Sequence, residues 1–261
     1  MNGAVRRWIA RVLPPVVVLV GAVALLEAYI RLAGVPSYVL PKPADVIAAM
    51  KSNAAELFPS LGWTALAALV GFAASAIFGA LVAIGLSASL LVRRALYPYT
   101  VFFQTVPIVA IAPLLVLWIS SRLQEVIVCA FIVSVFPVIA NMLTGLLSTD
   151  PALVDLFRLY GARPIARLWK LRLPSSLPSL FTGLRVAGGL AVIGTVVAEI
   201  LVGNTGDGAG LGVRVYSGIK YGHLDHAFAA VLLVSMLGLA FFGAINLASH
   251  LALRRWHASE R

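Results

Sequence analysis

The sequence predicts an all-α integral membrane protein with about six transmembrane helices and one cytoplasmic pair of short helices. Hydrophobic residues make up 61% of the 261 residues and charged residues only 11%, whereas soluble proteins average about 25% charged residues. Several apolar runs reach roughly 20 residues, the length that an α-helix needs to cross the hydrocarbon core. One segment, residues 150–178, is instead dense in charge and lies between two such runs. These observations predict a single transmembrane domain over residues 1–261.

The first predicted span follows Arg6, Arg7 and Arg11. Arginines ahead of an apolar run also describe a signal peptide, but the run is long and no A-x-A cleavage site follows it, which favours a retained helix. Glu27 and Arg31 are four residues apart near its far end and predict a helical ion pair. The six predicted spans cover residues 12–32, 62–86, 97–119, 126–147, 180–202 and 227–253.

A proline-broken connector, residues 34–43, precedes the second span, and the apolar spacing of residues 44–57 predicts a short surface helix. The second span carries a small residue at every fourth position, so that one helix face is smooth. This pattern lets two helix backbones approach closely in lipid, and it predicts packing rather than chemistry. The small residues are Gly71, Ser75, Gly79, Ala83 and Ser87.

The third span contains Pro98, Pro107 and Pro113. Prolines inside a span free backbone carbonyl groups, which is tolerable only where protein or a water-filled path satisfies them. Because Gln104 lies just before Pro107, this span can line a path, and a kinked packing helix is the open alternative.

The fifth span is rich in small residues and carries Glu199. A carboxylate at the centre of a span costs roughly 2.5–3.5 kcal/mol on insertion scales. Glu199 is therefore expected to have a partner, either Arg214 or a hydroxyl group, or to lie near the membrane surface. A role in the path and a role as a structural anchor both remain open.

Several patterns argue against catalysis in this chain. His223, Asp225 and His226 lack the i, i+4 spacing of two metal ligands on one helix face, and Asp225 is interpreted as the N-cap of the sixth span. Cys129 is the only cysteine and lies in an apolar run, so a buried, inert thiol is expected. The sequence contains no phosphate-binding glycine motif, H-E-x-x-H motif or nucleophile elbow. No catalytic residue, metal site or cofactor is expected in this chain.

The net charge of +10 can indicate nucleic acid or anionic lipid as a partner, but here the charge follows membrane topology. Fourteen of the 20 lysines and arginines fall on the side of the two termini. The positive-inside rule then places both termini and residues 150–178 in the cytoplasm, and no nucleic acid is expected as a partner. The six residues on the other side are Arg31, Lys42, Lys51, Arg122, Arg214 and Lys220.

Residues 150–178 predict a helix, a glycine turn and a second helix. Asp150 is a good N-cap, Pro151 suits the first helical position, and Gly161 suits a left-handed residue that ends the helix. Pro164 can begin the second helix, which is expected to end before Pro174. Apolar side chains near a water-facing bend predict docking into a protein groove, with the nearby arginines steering it towards an acidic rim. These apolar residues are Leu156, Phe157, Leu159 and Tyr160.

At these residues the chain resembles the permease subunits of binding-protein-dependent ABC importers. Their cytoplasmic signature reads E-A-A, three residues, G, nine residues, then I-x-L-P. Here Asp155-Leu156-Phe157, then Gly161, then Leu171-Arg172-Leu173-Pro174 match that spacing without a gap, although Asp replaces Glu and Leu-Phe replaces Ala-Ala. The segments QTVPIVAIAPLLVLW and GLRVAGGLAVIGTVVAEIL, with the GLG of the outer loop, look like the nitrate/sulfonate/taurine subgroup.

This resemblance implies a type I ABC importer permease fold in a bacterial inner membrane. It implies a second permease subunit, here expected to be an identical copy, two cytoplasmic ATPase subunits that bind ATP and Mg, and a solute-binding protein. The expected cargo is a small anion such as nitrate, a sulfonate or taurine, or alternatively a pyrimidine or riboflavin-like vitamin precursor. A stand-alone secondary transporter or a membrane-embedded enzyme fits less well, because paired ionisable residues and converging catalytic groups are missing.

The resemblance also implies residue roles. Asp155, Gly161, Leu171 and Pro174 correspond to the coupling signature, and Leu156, Phe157 and Tyr160 are expected to contact the ATPase. The residues expected to line the translocation path are Gln104, Pro107, Asn141 and Glu199.

Overall fold

The structure, a computed structural model, describes residues 3–202 and 208–254, with side chains from Leu13 onwards. These residues form eleven α-helices and one π-helical turn, without a β-strand in the described ranges. The predictions for the side chains of residues 6–11 and for residues 203–207 and 255–261 lie outside the described part. The helices are α1 (Gly3–Leu32), α2 (Pro43–Ser52), α3 (Ala54–Ala88), α4 (Leu90–Thr105), α5 (Ile108–Leu115), α6 (Arg122–Leu147), α7 (Pro151–Leu159), α8 (Pro164–Arg167), α9 (Leu173–Val202), α10 (Leu211–Lys220) and α11 (Leu224–Leu253), with the π-turn at Leu168–Arg172.

Helices α3, α6 and α9 form the centre of the bundle, and small residues hold them close together. A Cβ atom added to Gly71 of α3 would lie 2.6 Å from the Cβ of Ala130 on α6. One added to Gly183 of α9 would lie 2.8 Å from the carbonyl oxygen of Pro137. The predicted smooth face of the second span is confirmed, because all five of its small residues are buried in α3. Cys129 is also buried, as expected.

Five of the six predicted spans are confirmed as single helices that are long and apolar enough to cross a membrane. Four of these predicted ranges lie within longer helices. The first predicted span begins at residue 12, one residue before the apolar stretch Leu13–Leu32. Helix α3 has 35 residues and starts at Ala54, well before residue 62, where the second span was predicted to begin. The ion pair between Glu27 and Arg31 is confirmed, with the arginine Nε 3.1 Å from the carboxylate.

The predicted surface helix over residues 44–57 is too long. It ends at Ser52, and Leu57 lies fully buried in the first turn of α3. Asn53 separates the two helices, because its side-chain amide donates to the carbonyl of Ala49 at 2.8 Å while its own carbonyl accepts from the N–H of Leu57 at 2.9 Å.

The third predicted span consists of two helices, so the open alternative of one kinked packing helix is wrong. Helices α4 and α5 meet at 87°, and the break lies at Pro107. Proline has no N–H to continue the helix and forces the preceding residue, Val106, into an extended conformation. Pro98 and Pro113 lie inside α4 and α5 and do not break them.

The predicted N-cap role of Asp225 is also wrong. Helix α11 begins at Leu224 with His223 as its N-cap, so Asp225 lies in the first turn, where its negative charge complements the helix dipole. The described residues contain no cluster of three or more potential metal ligands.

The order of the helices fixes which segments share an end of the bundle. Helices α6 and α9 run in opposite directions, because Gly145 lies against Ser176 and Gly194 against Ala130. The segment that joins them, with α7, α8 and the π-turn, therefore lies at one end. Helices α2 and α10 lie at the other end, which is called the outer end below.

Candidate functional site

Helix α7 and the bend after it have the local structure that the sequence predicts. The Asp150 carboxylate accepts the N–H of Ala152 at 2.8 Å, and Pro151 occupies the first helical position. The helix ends at Leu159, and Gly161, two residues further on, has a φ of +67°. The N–H of Gly161 donates to the carbonyl of Arg158, and that of Ala162 to the carbonyl of Phe157, each at 2.9 Å. This pair of bonds is a Schellman motif, which requires a left-handed residue at the glycine position.

The second half of the segment differs from the prediction. Helix α8 does not end before Pro174 but continues through the π-turn into α9, so that residues 164–202 form one helical stretch of 39 residues. The N–H of Leu173 bonds to the carbonyl of Leu168, five residues back, which is the π-helical pattern. Pro174 is tolerated because it lies in the first turn of α9, next to this wider turn. The matched residues Leu171 and Pro174 therefore lie on the helix that becomes the fifth span.

The bend exposes large apolar side chains to the surroundings. Leu159 and Tyr160 are 85% and 83% exposed, and Leu156 is also exposed. Phe157 differs from the expectation, because it is half-buried. Two further exposed residues, Ile165 and Trp169, were not singled out from the sequence, although an aromatic residue within the basic run RLWKLR was an available signal. We call Leu156, Leu159, Tyr160, Ile165 and Trp169 the cytoplasmic patch, after the side of the membrane that the charge distribution of the sequence predicts for them.

The segment is anchored to the bundle by a different set of residues. Leu168 and Leu173 pack against the buried cluster at the inner ends of α3 and α6. The hydroxyl groups of Thr149 and Ser175 lie 3.0 Å apart and join the end of α6 to the start of α9. Asp155 is exposed and pairs with Arg158 at 3.0 Å on the same helix. The anchors fix the segment, while the cytoplasmic patch stays available for contact.

The four expected path residues do not converge on one site. Gln104 lines a cavity of about 290 Å³ between α4 and the middle of α6, and Pro107 lies at the adjacent break. Asn141 lies at the packed contact of α6 with α9, where its amide donates to the carbonyl of Pro137 at 2.9 Å. Glu199 lies at the outer end, beside a separate cavity of about 250 Å³ that also includes Trp63 and Arg122.

Glu199 joins three helices at the outer end. The hydroxyl of Thr64 on α3 lies 2.9 and 3.0 Å from its two carboxylate oxygens, and the N–H of Gly212 on α10 donates to it at 2.8 Å. The hydroxyl of Thr64 accepts the N–H of Leu211 at 2.8 Å. Of the alternative partners expected for Glu199, the hydroxyl is confirmed. Arg214 instead forms an ion pair with Glu56.

The GLG sequence of the outer loop fits closely around this carboxylate. A Cβ atom added to Gly210 would overlap the Glu199 carboxylate, and one added to Gly212 would lie 2.5 Å from the carbonyl oxygen of Val196. The backbone N–H groups at the start of α10 can approach the carboxylate only without side chains at these two positions. A carboxylate at a helix N-terminus is favourable, because the N–H groups there have no partner within the helix.

Residues 75–254 match the family described as binding-protein-dependent transport system inner membrane component. The chain belongs to this family. The permease is 32% identical over 240 residues to a Haemophilus influenzae protein named as an ABC transporter permease, covering 92% of this chain and 96% of the relative. It is also 32% identical over 248 residues to the formylaminopyrimidine transport permease protein ThiX of Halalkalibacterium halodurans, covering 92% and 95%.

Other relatives of the permease differ in the solute that their names give. Those between 26% and 30% identical are named as permease proteins for aliphatic sulfonates, riboflavin, bicarbonate and nitrate. The fold is similar to the inward-facing MetNI methionine ABC transporter, with a TM-score of 0.63 at 20% identity over 75% of this chain and 95% of that chain. The expected type I importer permease fold is confirmed, and the chain is a multi-pass membrane protein.

Proposed function

We propose that this chain is the transmembrane subunit of an ATP-driven importer, and that residues 150–178 couple it to a separate cytoplasmic ATPase. Two permease copies form the path, two ATPase subunits bind ATP and Mg, and a solute-binding protein delivers the solute at the outer end. In this proposal the nucleotide sites and the catalytic residues belong to the ATPase subunits.

The observation that carries this proposal is the cytoplasmic patch. Its large apolar side chains lie on a short helix and turn whose backbone is fixed by the Asp150 cap and the Gly161 bend. An exposed apolar patch on a rigid projecting element is typical of a protein-binding surface. Arg158, Arg163 and Lys170 are exposed and lie close to patch residues in the chain, and they favour an acidic rim on the partner.

Both termini lie in the cytoplasm in this proposal. The six basic residues assigned to the outer side from the sequence lie on or next to helix ends at that end of the bundle, as the element order requires. The positive-inside rule then places the opposite end, with the cytoplasmic patch, in the cytoplasm of a bacterial cell.

We assign the path to the side of the bundle where α4 packs loosely on α6. None of the residues of α4 is buried, although the helix carries several large apolar side chains. This leaves an apolar surface for the second permease copy, and the break at Pro107 places Gln104 beside the cavity. Asn141 and Glu199 lie on the central helices α6 and α9 that border this side and the outer end.

A small anion such as nitrate, a sulfonate or taurine is the solute that we propose first. Arg122 borders the outer cavity, and it has no ion pair within the described residues. A neutral vitamin precursor is the second candidate, favoured by the names of two relatives.

Uptake in reconstituted vesicles tests the proposal. The permease is purified with its ATPase and its solute-binding protein, and uptake of taurine, nitrate and a formylaminopyrimidine is compared with and without ATP. We expect ATP-dependent uptake of one of these solutes that is lost without the ATPase. Uptake that persists without any ATPase subunit would contradict the proposal.

A further inference from the structure

A set of polar contacts at the outer end fixes α10 to the centre of the bundle. Glu199 is 5% exposed and Thr64 is fully buried, so that their hydrogen bonds are shielded from water. One turn along α3, Ser60 accepts the Nε–H of Arg214 at 2.9 Å, and Glu56 pairs with the same arginine. We call the following set the outer clasp: the side chains of Glu56, Ser60, Thr64, Glu199 and Arg214, with the N–H groups of Leu211 and Gly212.

The outer clasp holds α10 at two points of one face and leaves the opposite face exposed. The buried face of α10 includes Leu211 and Val213. Its other face exposes Tyr216 and Ile219, which are 50% and 58% exposed, and Lys220. A partner that contacts the outer end of the bundle therefore meets a helix whose position is set by the clasp.

The carboxylate of the clasp belongs to the helix that reaches the cytoplasmic end. Helix α9 has 30 residues, a length of about 45 Å at the usual rise per residue. At its N-terminal end, α9 is continuous with the π-turn and α8. Trp169 of the cytoplasmic patch lies on the π-turn and Ile165 lies on α8. A π-turn within a helix is uncommon and often lies at a functional hinge.

We propose that Glu199 is a positioning residue for transport, which joins α10 to α9 so that contact of the solute-binding protein with α10 changes the position of the ATPase-coupling segment. This inference rests on the proposed function. The buried carboxyl group of Glu199 loses hydrogen bonds if α10 moves alone, and a buried polar group left without its partners is costly. Helices α10 and α9 therefore move together, and a displacement at the outer end reaches the π-turn.

The test measures ATP hydrolysis by the whole complex in nanodiscs. The rate is measured once without the solute-binding protein and once with this protein carrying its solute. The measured quantity is the ratio of the two hydrolysis rates. Glu199→Gln replaces one of the two acceptor oxygens with an NH2 donor, so that the side chain can no longer accept from Gly212 and from Thr64 through separate oxygens. Thr64→Val removes the hydroxyl at nearly constant volume. We expect the ratio to fall by about fivefold or more in both variants, a size typical of coupling between two sites.

Two control variants are matched to these changes. Glu27→Gln removes a glutamate at the same end of the bundle that pairs only within α1. Ser235→Ala removes a hydroxyl that bonds only to a carbonyl of its own helix, α11. Both controls are expected to keep the ratio of the wild type.

The outcomes separate coupling from a purely structural role. If a variant only reduces the amount of folded complex, both hydrolysis rates fall by the same factor and their ratio stays unchanged. An unchanged ratio would overturn the inference. If Glu199→Gln gives no folded complex, the ratio in Thr64→Val decides. A wild-type complex that the binding protein does not stimulate contradicts the proposed function itself, whereas normal stimulation of both variants contradicts only the role of Glu199.

Discussion

The cytoplasmic bend at Gly161 and the outer clasp at Gly212 both depend on a glycine, but for opposite physical reasons. Gly161 has a φ of +67°, and nothing lies within 4 Å of a Cβ atom added there. Gly212 has no such backbone conformation, but an added Cβ atom would lie 2.5 Å from the carbonyl oxygen of Val196 and 2.7 Å from the Cβ of Glu199. One glycine supplies a conformation, and the other supplies space.

The difference follows from what surrounds each end. The cytoplasmic bend projects from the bundle, so that its shape depends on backbone conformation and capping. The outer clasp lies between three packed helices, so that its shape depends on how closely backbone atoms approach a carboxylate. Substitutions are therefore expected to act on conformation at one end and on packing at the other.

The largest effect on stability is expected for Gly212→Ala. The new methyl group meets a backbone carbonyl that cannot move aside without displacing α9, and overpacking of this kind costs roughly 3 kcal/mol. The measurement is the thermal unfolding midpoint of the purified permease in detergent. The control is Gly189→Ala on α9, where nothing lies within 4 Å of the added Cβ. Equal midpoints for the two variants would contradict the close approach at the clasp.

A smaller loss of stability but a larger loss of function is expected for Gly161→Val. A β-branched residue disfavours the left-handed conformation by about 1–2 kcal/mol or more, so that the bend changes shape while the spans still insert. We expect co-purification with the ATPase and ATP-dependent uptake to be abolished at a normal level of membrane insertion.

Gly161→Asn is the matched control for this variant. Asparagine adopts the left-handed conformation more readily than other residues with a side chain, and the site has room for it. We expect it to keep most of the uptake. Loss of uptake in both variants would show that the backbone conformation is not what the bend requires.

The sequence predicted the elements that local chemistry determines. The cap at Asp150, the bend at Gly161 and the smooth face of α3 were all predicted, because each depends on residues near one another in the chain. The wrong predictions are of two kinds: helix boundaries, such as the end of α2 and the N-cap of α11, and contacts between distant segments. Nothing near Glu199 indicates that Thr64, 135 residues away, is its partner. The π-turn that carries the helix past Pro174 has no pattern in the sequence that could have predicted it.

The cytoplasmic patch gives a third prediction, in which no backbone constraint changes. Replacing both Leu159 and Tyr160 with serine removes the two most exposed side chains of the patch and leaves the Gly161 bend intact. We expect weaker association with the ATPase, measured as the amount of ATPase retained by immobilised permease, with an unchanged unfolding midpoint. Tyr38→Ser is the control, because Tyr38 is 72% exposed at the opposite end of the bundle. Equal retention by the patch and control variants would exclude the patch as the contact surface.

The smallest effects are expected at the two aspartates of the cytoplasmic segment, which differ in what they bind. Asp150 accepts a backbone N–H at the start of α7, and Asp150→Ala is expected to destabilise this helix by about 1 kcal/mol. Asp155 makes only an exposed ion pair with Arg158, so Asp155→Ala is expected to cost roughly 0.5 kcal/mol or less. Hydrogen exchange of the α7 amide groups measures both, with faster exchange in the Asp150 variant. If Asp155→Ala nevertheless reduces ATPase association more than Asp150→Ala, its carboxylate binds the partner directly instead of stabilising the helix.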